Sequence, residues 1–343
     1  MTGGKSQKLV FLLLAAIVVL VARIWYVDLS AAPQAQGASG TAYAPHIVLG
    51  PGAASLGAPA AIASANPVGG GPSGTPSSTT PYYGEMDTTA SVFQRVATTA
   101  VPEFMREELL VRDITNGVDL ADVDQNVRWP TASLTKLMTA TLVLDHFSMD
   151  TRITITPQMM AVDPEEGHLV VNGTYSVYDL LHVMLMPSSN VAAEAFADYY
   201  GRTQFLQEMN ARAKAWGMRD TYFDDPSGLS SANESTAHDL AILATHVYQS
   251  YPTILQFTDT PDIVIANYAN GVKTDVRSIN DFAGTPGFIG GKTGFIPEAK
   301  DNLLSLFRYD GNPVLIIVLG AGDTAERFSD TTNLLDWVKM DYK

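Results

Sequence analysis

The chain has 343 residues, no cysteine and a formal net charge of −15, and 46% of its residues are hydrophobic. The missing cysteines exclude a disulfide framework and any thiolate metal site. The acidic balance excludes nucleic acid as a partner, because a phosphate-binding face needs clustered Lys and Arg.

Lys5 and Lys8 precede an uninterrupted apolar run over 9–22, followed by Arg23 and Ile24-Trp-Tyr-Val27. A helix over 9–27 would be about 28 Å long, close to the ~30 Å hydrocarbon core of a bilayer. Arg23 can snorkel to the interface, and lysines ahead of the segment favour an N-in orientation. Residues 1–29 are therefore expected to be an N-terminal membrane anchor. A cleaved signal peptide is the competing reading; Ser30-Ala-Ala32 has small residues in suitable places, but Pro33 follows directly. Either way the rest of the chain is exported, held at the extracytoplasmic side of the cell membrane or, after cleavage, secreted.

Residues 30–85 are dominated by Ala, Gly, Pro, Ser and Thr with almost no charge. Such a stretch cannot bury enough surface to offset its ordering entropy, and it reads as a flexible tether. As a coil of roughly fifty residues it spans about 40 Å r.m.s.. One folded domain is expected over 86–343.

Within that domain, 107–113 and 118–121 read as strands around a Thr115-Asn-Gly117 turn. A helix is expected over 132–147 behind Pro130, and the region to about Tyr251 is mostly helical. A Gly-rich strand opens at Phe288. Strands 302–309 and 314–320 are joined by Asp310-Gly-Asn-Pro313, and 324–340 closes as a helix. This order predicts an α/β chain of the α+β type, with an antiparallel sheet flanked by helices and a helical lobe.

The chemistry concentrates in three short motifs. Ser133-Leu-Thr-Lys136 puts a hydroxyl and an amine on one helical face, within reach of each other. A serine is a weak nucleophile until a neighbouring base takes its proton. Bringing a lysine from ~10.4 to about 7 takes roughly 4.6 kcal/mol, supplied by burial or a second cation. Alone this pair matches any ordinary helix start. It gains weight from Met186-Pro-Ser-Ser-Asn190, which offers Ser188 and Asn190 on a short loop, and from Gly290-Gly-Lys292-Thr-Gly294 on a strand. Lys292 supplies the second cation and a positive end for an anionic substrate. Ser188 can relay a proton, and Asn190 can hold the Lys136 amine and donate to a substrate amide. Gly294 lets a substrate backbone approach the strand, having no Cβ.

Ser-x-x-Lys, Ser-x-Asn and Lys-Thr-Gly in this order resemble the motif set of penicillin-binding proteins and serine β-lactamases. The flanking text resembles the low-molecular-mass serine D-alanyl-D-alanine carboxypeptidases in particular. The similar blocks are Pro130-Thr-Ala-Ser-Leu-Thr-Lys-Leu-Met-Thr-Ala140, Trp216-Gly-Met-Arg-Asp-Thr-Tyr-Phe223, Asp225-Pro-Ser-Gly-Leu229, Ser235-Thr-Ala-His-Asp-Leu240 and the closing helix from Arg327 to Trp337. The resemblance implies a β-lactamase/transpeptidase-like fold with the site between sheet and helical lobe. It implies Ser133 as acylated nucleophile, Lys136 as base, and Ser188 and Asn190 as the second catalytic motif. Lys292 and Thr293 would bind the substrate carboxylate, with Gly294 alongside. The backbone N–H groups of Ser133 and Phe295 would form an oxyanion hole. Arg327 aligns with a carboxylate-binding arginine, though a surface charge at a helix start is an equal reading.

The implied substrate is a peptidoglycan stem peptide ending in D-Ala-D-Ala, with β-lactams as inhibitors and no cofactor. A D,D-endopeptidase would use the same residues. A β-lactamase is weaker, since class A enzymes place Glu-x-x-x-Asn between the second and third motifs. Glu194, Glu208 and Glu234 occupy that interval here, and none has Asn four residues on. An idle wall-binding module is the non-enzymatic alternative, against which the intact motifs argue. Two departures stand out: Phe295-Ile-Pro297 follows Lys-Thr-Gly where His-Thr is frequent, and Lys300 replaces a common glycine. Many relatives also carry a C-terminal β-domain and an anchoring helix, which are not expected here because the sequence ends shortly after Gly294. Glu234, His238 and His246 fall on one stretch expected to be helical, but without metal-site spacing; His238 reads as a helix-surface residue.

Overall fold

Val314-Leu-Ile-Ile-Val-Leu319 has no polar residue to mark an outer face, the pattern of a strand covered on both sides. The computed structural model describes residues 47–48, 93–102, 108–162 and 166–343, all within one unit running from Pro45 to Lys343. It places this run at the centre of an antiparallel sheet. The strands are β1 (Glu108–Asp113), β2 (Val118–Val123), β3 (Phe288–Ile296), β4 (Lys300–Tyr309) and β5 (Asn312–Ala321). Their spatial order is β2-β1-β5-β4-β3, and Ile47–Val48 adds an antiparallel edge pair outside β2. That pair falls inside the stretch read as a tether. The predicted anchor and the rest of the tether lie outside the described residues. Among the described residues, no helix is long and apolar enough to cross a membrane.

The period of two divides each strand between two cores. Leu109, Val111, Val314, Ile316 and Val318 face one side, where they pack with Trp337 and Val338 of the closing helix. Leu110, Leu315, Ile317 and Leu319 face the other, against the helical lobe. The β4–β5 turn has Asp310 and Gly311 at φ 47° and 80°. Two consecutive left-handed residues make the type I′ turn whose twist matches the strands it joins.

Among the described residues there are seven α-helices: α1 (Thr135–His146), α2 (Val177–Leu185), α3 (Asn190–Tyr200), α4 (Arg202–Trp216), α5 (Ala237–Ser250), α6 (Pro252–Thr258) and α7 (Thr324–Asp341). Four of them start with a side-chain cap. Ser176, Ser189, Thr236 and Asp323 accept from the backbone N–H groups of Asp179, Ala192, Asp239 and Glu326. Every residue from Thr135 to Val143 of α1 is buried, as a helix running through the middle of a lobe must be. The expected helix over 132–147 is corrected at its start, because Ala132–Leu134 form a 3₁₀ turn ahead of α1. The hairpin Asp262–Ala266 with Lys273–Arg277 was not anticipated.

Candidate active site

The 3₁₀ turn that carries Ser133 is pinned from three directions. Thr131 N–H donates to Asn233 O at 2.8 Å, and Asn302 Nδ2 on β4 donates to Pro130 O at 2.9 Å. Asn302 Oδ1 accepts from Gly320 N–H at 3.0 Å, so β5 is tied to the same point. Ala132 is held at φ 47°, a left-handed conformation that costs a non-glycine residue roughly 1–2 kcal/mol. The strain sits one residue before Ser133, where the surrounding bonds over-determine the backbone.

One turn on, Lys136 Nζ lies 2.7 Å from Ser133 Oγ, 2.8 Å from Asn190 Oδ1 and 2.7 Å from Ser227 O. The residue is 0% exposed. Ser227 was not singled out from the sequence, because a backbone carbonyl leaves no side-chain signature. Its position follows from Asp225, a buried carboxylate in an Asp-Pro-Ser-Gly turn. Asp225 accepts from the N–H groups of Ser227, Gly228 and Ser230, from the Ser227 hydroxyl and from Asn233 Nδ2. Burial alone would raise its pKa, but these donors outweigh burial and hold it below the usual carboxylate value. Pro226 O accepts from Thr139 Oγ1 of α1 at 2.6 Å, fastening the turn to the helix that carries Lys136.

The second motif divides its labour. Ser189 caps α3, and Asn190 begins it, with its side-chain carbonyl turned to Lys136. Ser188 sits at φ 72°, and its hydroxyl accepts from Lys292 Nζ at 2.8 Å. Lys292 is 1% exposed and also donates to Thr293 O at 2.9 Å. Burial first, then the charges of Lys136 and Arg327, push the Lys292 pKa well below the ordinary lysine value.

Arg327 is not the surface charge that its place near the start of α7 allowed. It is 5% exposed, with Nη1 2.9 Å from Asp301 Oδ1 and 3.3 Å from Gly294 O. Burial disfavours its charge, while Asp301 and then Asp281 favour it. Phe295 is 59% exposed beside it. Gly294 also serves the packing of the sheet against the Ser133 turn. A Cβ there would lie 3.0 Å from Thr131 O and 3.2 Å from Ser133 N. The missing side chain thus lets β3 close on the Ser133 turn, while Gly294 also lines the cavity described below. Lys300 stands at φ 53°, a conformation that glycine adopts at no steric cost, and its Nζ lies over the Trp129 ring at 5.9 Å.

A cavity of about 280 Å³ opens over these groups, lined by Ser133, Ser188, Asn190, Thr293, Gly294, Phe295 and Arg327. Glu166 also lines it, a glutamate that precedes the second motif and so lies outside the interval between the second and third motifs. Glu234 is corrected in its placement, lying in a short strand pair near Arg128 instead of on the helix expected for it, while His246 on α5 stacks on Trp216 at 4.2 Å. Chemically, the arrangement presents a hydroxyl with an adjacent buried amine, a backbone N–H at a turn, and cationic groups able to meet a carboxylate.

Comparison with known proteins agrees with this chemistry. Residues 95–323 match the model of the D-alanyl-D-alanine carboxypeptidase family. A D-alanyl-D-alanine endopeptidase of Pseudomonas aeruginosa is 35% identical, the match covering 67% of this chain and 76% of that protein. An Escherichia coli D-alanyl-D-alanine endopeptidase is 34% identical, with 71% and 80% covered. A Streptomyces D-alanyl-D-alanine carboxypeptidase is 29% identical, with 64% and 82% covered. Among solved structures, the Streptomyces K15 DD-transpeptidase superposes with a TM-score of 0.65 at 26% identity, covering 71% of this chain and all (100%) of that one.

Proposed function

The chain belongs to the D-alanyl-D-alanine carboxypeptidase family of serine peptidases, and on that premise we propose a specific reaction for it. It is a D,D-carboxypeptidase that removes the terminal D-alanine of peptidoglycan stem peptides through an acyl-enzyme on Ser133. The observation that carries this reading is the wholly buried Lys136 Nζ 2.7 Å from Ser133 Oγ. In its neutral form that amine takes the hydroxyl proton as Oγ bonds to the penultimate carbonyl carbon. The carbonyl oxygen becomes an oxyanion facing the N–H groups of Ser133 and Phe295. The C–N bond then breaks, and D-alanine leaves with a proton passed through Ser188, which Lys292 holds in place. Water hydrolyses the ester, giving back Ser133 and the shortened peptide. Lys292, Thr293 and Arg327 receive the substrate carboxylate.

A second reading, D,D-endopeptidase acting on cross-links, is supported by the two relatives of that name at 35% and 34% identity. Both reactions make the same acyl-enzyme and differ in the departing amine. Incubation with a soluble stem pentapeptide and with a cross-linked dimer separates them. Release of free D-alanine supports the first, and release of two monomeric stems without D-alanine moves the assignment to the second. Tethering to the membrane through 9–27, with the site outside, is part of this proposal and rests on the sequence.

Two further outcomes are expected. Penicillin in excess should leave a stable adduct on Ser133, detected by mass spectrometry, because acylation needs only the nucleophile, Lys136 and the oxyanion donors. Rapid turnover of the drug with no adduct would move the assignment to a β-lactamase. Lys292→Ala should also lower kcat/KM on a D-Ala-D-Ala peptide by at least about tenfold more than Arg327→Ala does, a barrier difference of about 1.4 kcal/mol. Lys292 anchors Ser188 and lies near the Lys136 charge, whereas Arg327 reaches those groups only through the effect of its charge on Lys292. Equal losses would sink that ranking.

A further inference from the structure

We infer that a separate cavity at the end of α4 is a second binding site, which takes a carboxylate on a neighbouring stem of a polymeric substrate; this rests on the D,D-peptidase reading. The cavity measures about 370 Å³, larger than the one over Ser133 and within the range of small-molecule sites. Lys214, Arg219 and Tyr222 line it, and no carboxylate does. All three are exposed, and among the described residues neither cation has an ion pair or a side-chain hydrogen bond. Carboxylates outnumber cations in this chain, 36 Asp and Glu against 21 Lys and Arg. Two unpaired cations on one cavity therefore leave a local positive charge for an external anion to meet. The adjacent Asp220 does not cancel it, since its carboxylate lies outside the lining and 3.9 Å from Arg128 Nε. Asp239 is buried and already accepts from Asp220 N–H at 2.8 Å and Thr221 Oγ1 at 2.9 Å.

The backbone under these side chains is firmly held. Gly217, at φ 87°, ends α4, and Met218 N–H donates to Ala213 O at 2.9 Å. Tyr222 exchanges both backbone bonds with Glu234, at 2.9 and 3.0 Å, and Asn210 of α4 bonds both the N–H and the carbonyl of Phe223. Lys214 also complements the C-terminal end of the α4 dipole, but Arg219 lies beyond the helix and has no such role. An arginine fork and a lysine point charge suit a carboxylate, and the half-exposed Tyr222 ring offers apolar surface beside it. The same chain segment runs on to Gly228, which lines the cavity over Ser133. Six residues separate Tyr222 from Gly228, and an extended chain of that length spans at most about 22 Å. The two cavities are therefore close enough for one strand to occupy both. The proposed substrate supplies the anion, because every uncleaved stem ends in a carboxylate. A strand with repeating stems can place one at Ser133 and the carboxylate of another between Lys214 and Arg219.

The test measures D-alanine release by the full chain on two substrates: glycan strands carrying uncross-linked pentapeptide stems, and a single soluble pentapeptide. The double variant Lys214→Gln/Arg219→Gln should raise KM on the strands about tenfold, the scale of two exposed ion pairs, with kcat unchanged. Its kinetics on the single peptide and its penicillin labelling of Ser133 should equal the wild type's. The charge-keeping swap Lys214→Arg/Arg219→Lys should retain the wild-type KM on strands. Rising ionic strength should bring the wild type toward the double variant. Poly-glutamate should raise KM on strands for the wild type and leave the double variant unaffected. An unchanged KM on strands in the double variant, or an equal loss on both substrates, overturns the second site and leaves the peptidase reading standing. Competition by polyphosphate without competition by poly-glutamate overturns the carboxylate assignment in favour of a phosphate polymer. Failure of the wild type to release D-alanine from the single peptide overturns the carboxypeptidase reading, and this inference with it.

Discussion

Ser133→Ala and Lys136→Ala are each expected to lower kcat/KM on a D-Ala-D-Ala peptide by about 10⁴-fold or more, and the double variant should be little worse than either. Nucleophile and base act as one unit, so removing either removes nearly all the shared effect. The geometry makes the coupling close: Ser133 Oγ is 2.7 Å from an amine whose other contacts, Asn190 Oδ1 and Ser227 O, are protein groups in the interior. No such partner activates the serine once Lys136 is truncated. The substitution also empties a site that was 0% exposed, so stability is measured alongside by urea unfolding. Lys136→Met keeps most of the volume while losing the amine, and it should be as inactive as Lys136→Ala but more stable. Losses that add in the double variant would show that the two side chains act in separate steps. Penicillin labelling that survives in Ser133→Ala would remove Ser133 as the nucleophile.

Much of this site was readable in the sequence because it is built from side chains in ordered motifs. Lys136, Ser188, Asn190 and Lys292 announce themselves by residue type and spacing, and the hairpin of β4 and β5 by an apolar run around Asp310-Gly311. What stayed hidden works through backbone or through distant tertiary contact. The Ser227 carbonyl, the left-handed Ala132 and the Gly228 approach to it have no compositional mark. The burial of Arg327 depends on Asp301, which is brought beside it only when α7 packs on the sheet. The Asp262–Ala266 and Lys273–Arg277 hairpin was missed although Asn270-Gly271 supplies a turn signal. Its strands are five residues each and largely exposed, so their alternation is weak against the helical patterns nearby. Glu166 lacked a signal for a different reason: the class A spacing points between the second and third motifs, whereas this chain brings a carboxylate to the cavity from before the second motif.

Gly228→Ala should cost at least about 10²-fold in kcat/KM although glycine has no functional group to lose. Gly228 sits at φ 84°, and a Cβ there would fall 1.8 Å from Ala132 O, 2.3 Å from Ala132 C and 3.0 Å from Ser133 N. Those atoms are backbone and cannot swing aside as a flexible side chain would. Ala132 C and O share one planar peptide unit with the Ser133 N–H, so displacing the carbonyl must tilt or shift that N–H. In the proposed reaction it is one of the two oxyanion donors, and losing one such donor is worth roughly 10²–10³ in rate. The same shift moves Ser133 Oγ relative to Lys136, adding a misalignment to the lost donor. The control is Gly271→Ala, at φ 76° with nothing within 4 Å of its Cβ. It incurs the same left-handed strain, about 1–2 kcal/mol, in a hairpin turn away from the cavity, so it should lower stability and spare the rate. Urea unfolding and peptide kinetics on both variants separate strain from collision. Were Gly228→Ala to match Gly271→Ala in both measurements, the nucleophile turn would be free to retreat, and the close approach of the two segments would have no part in catalysis.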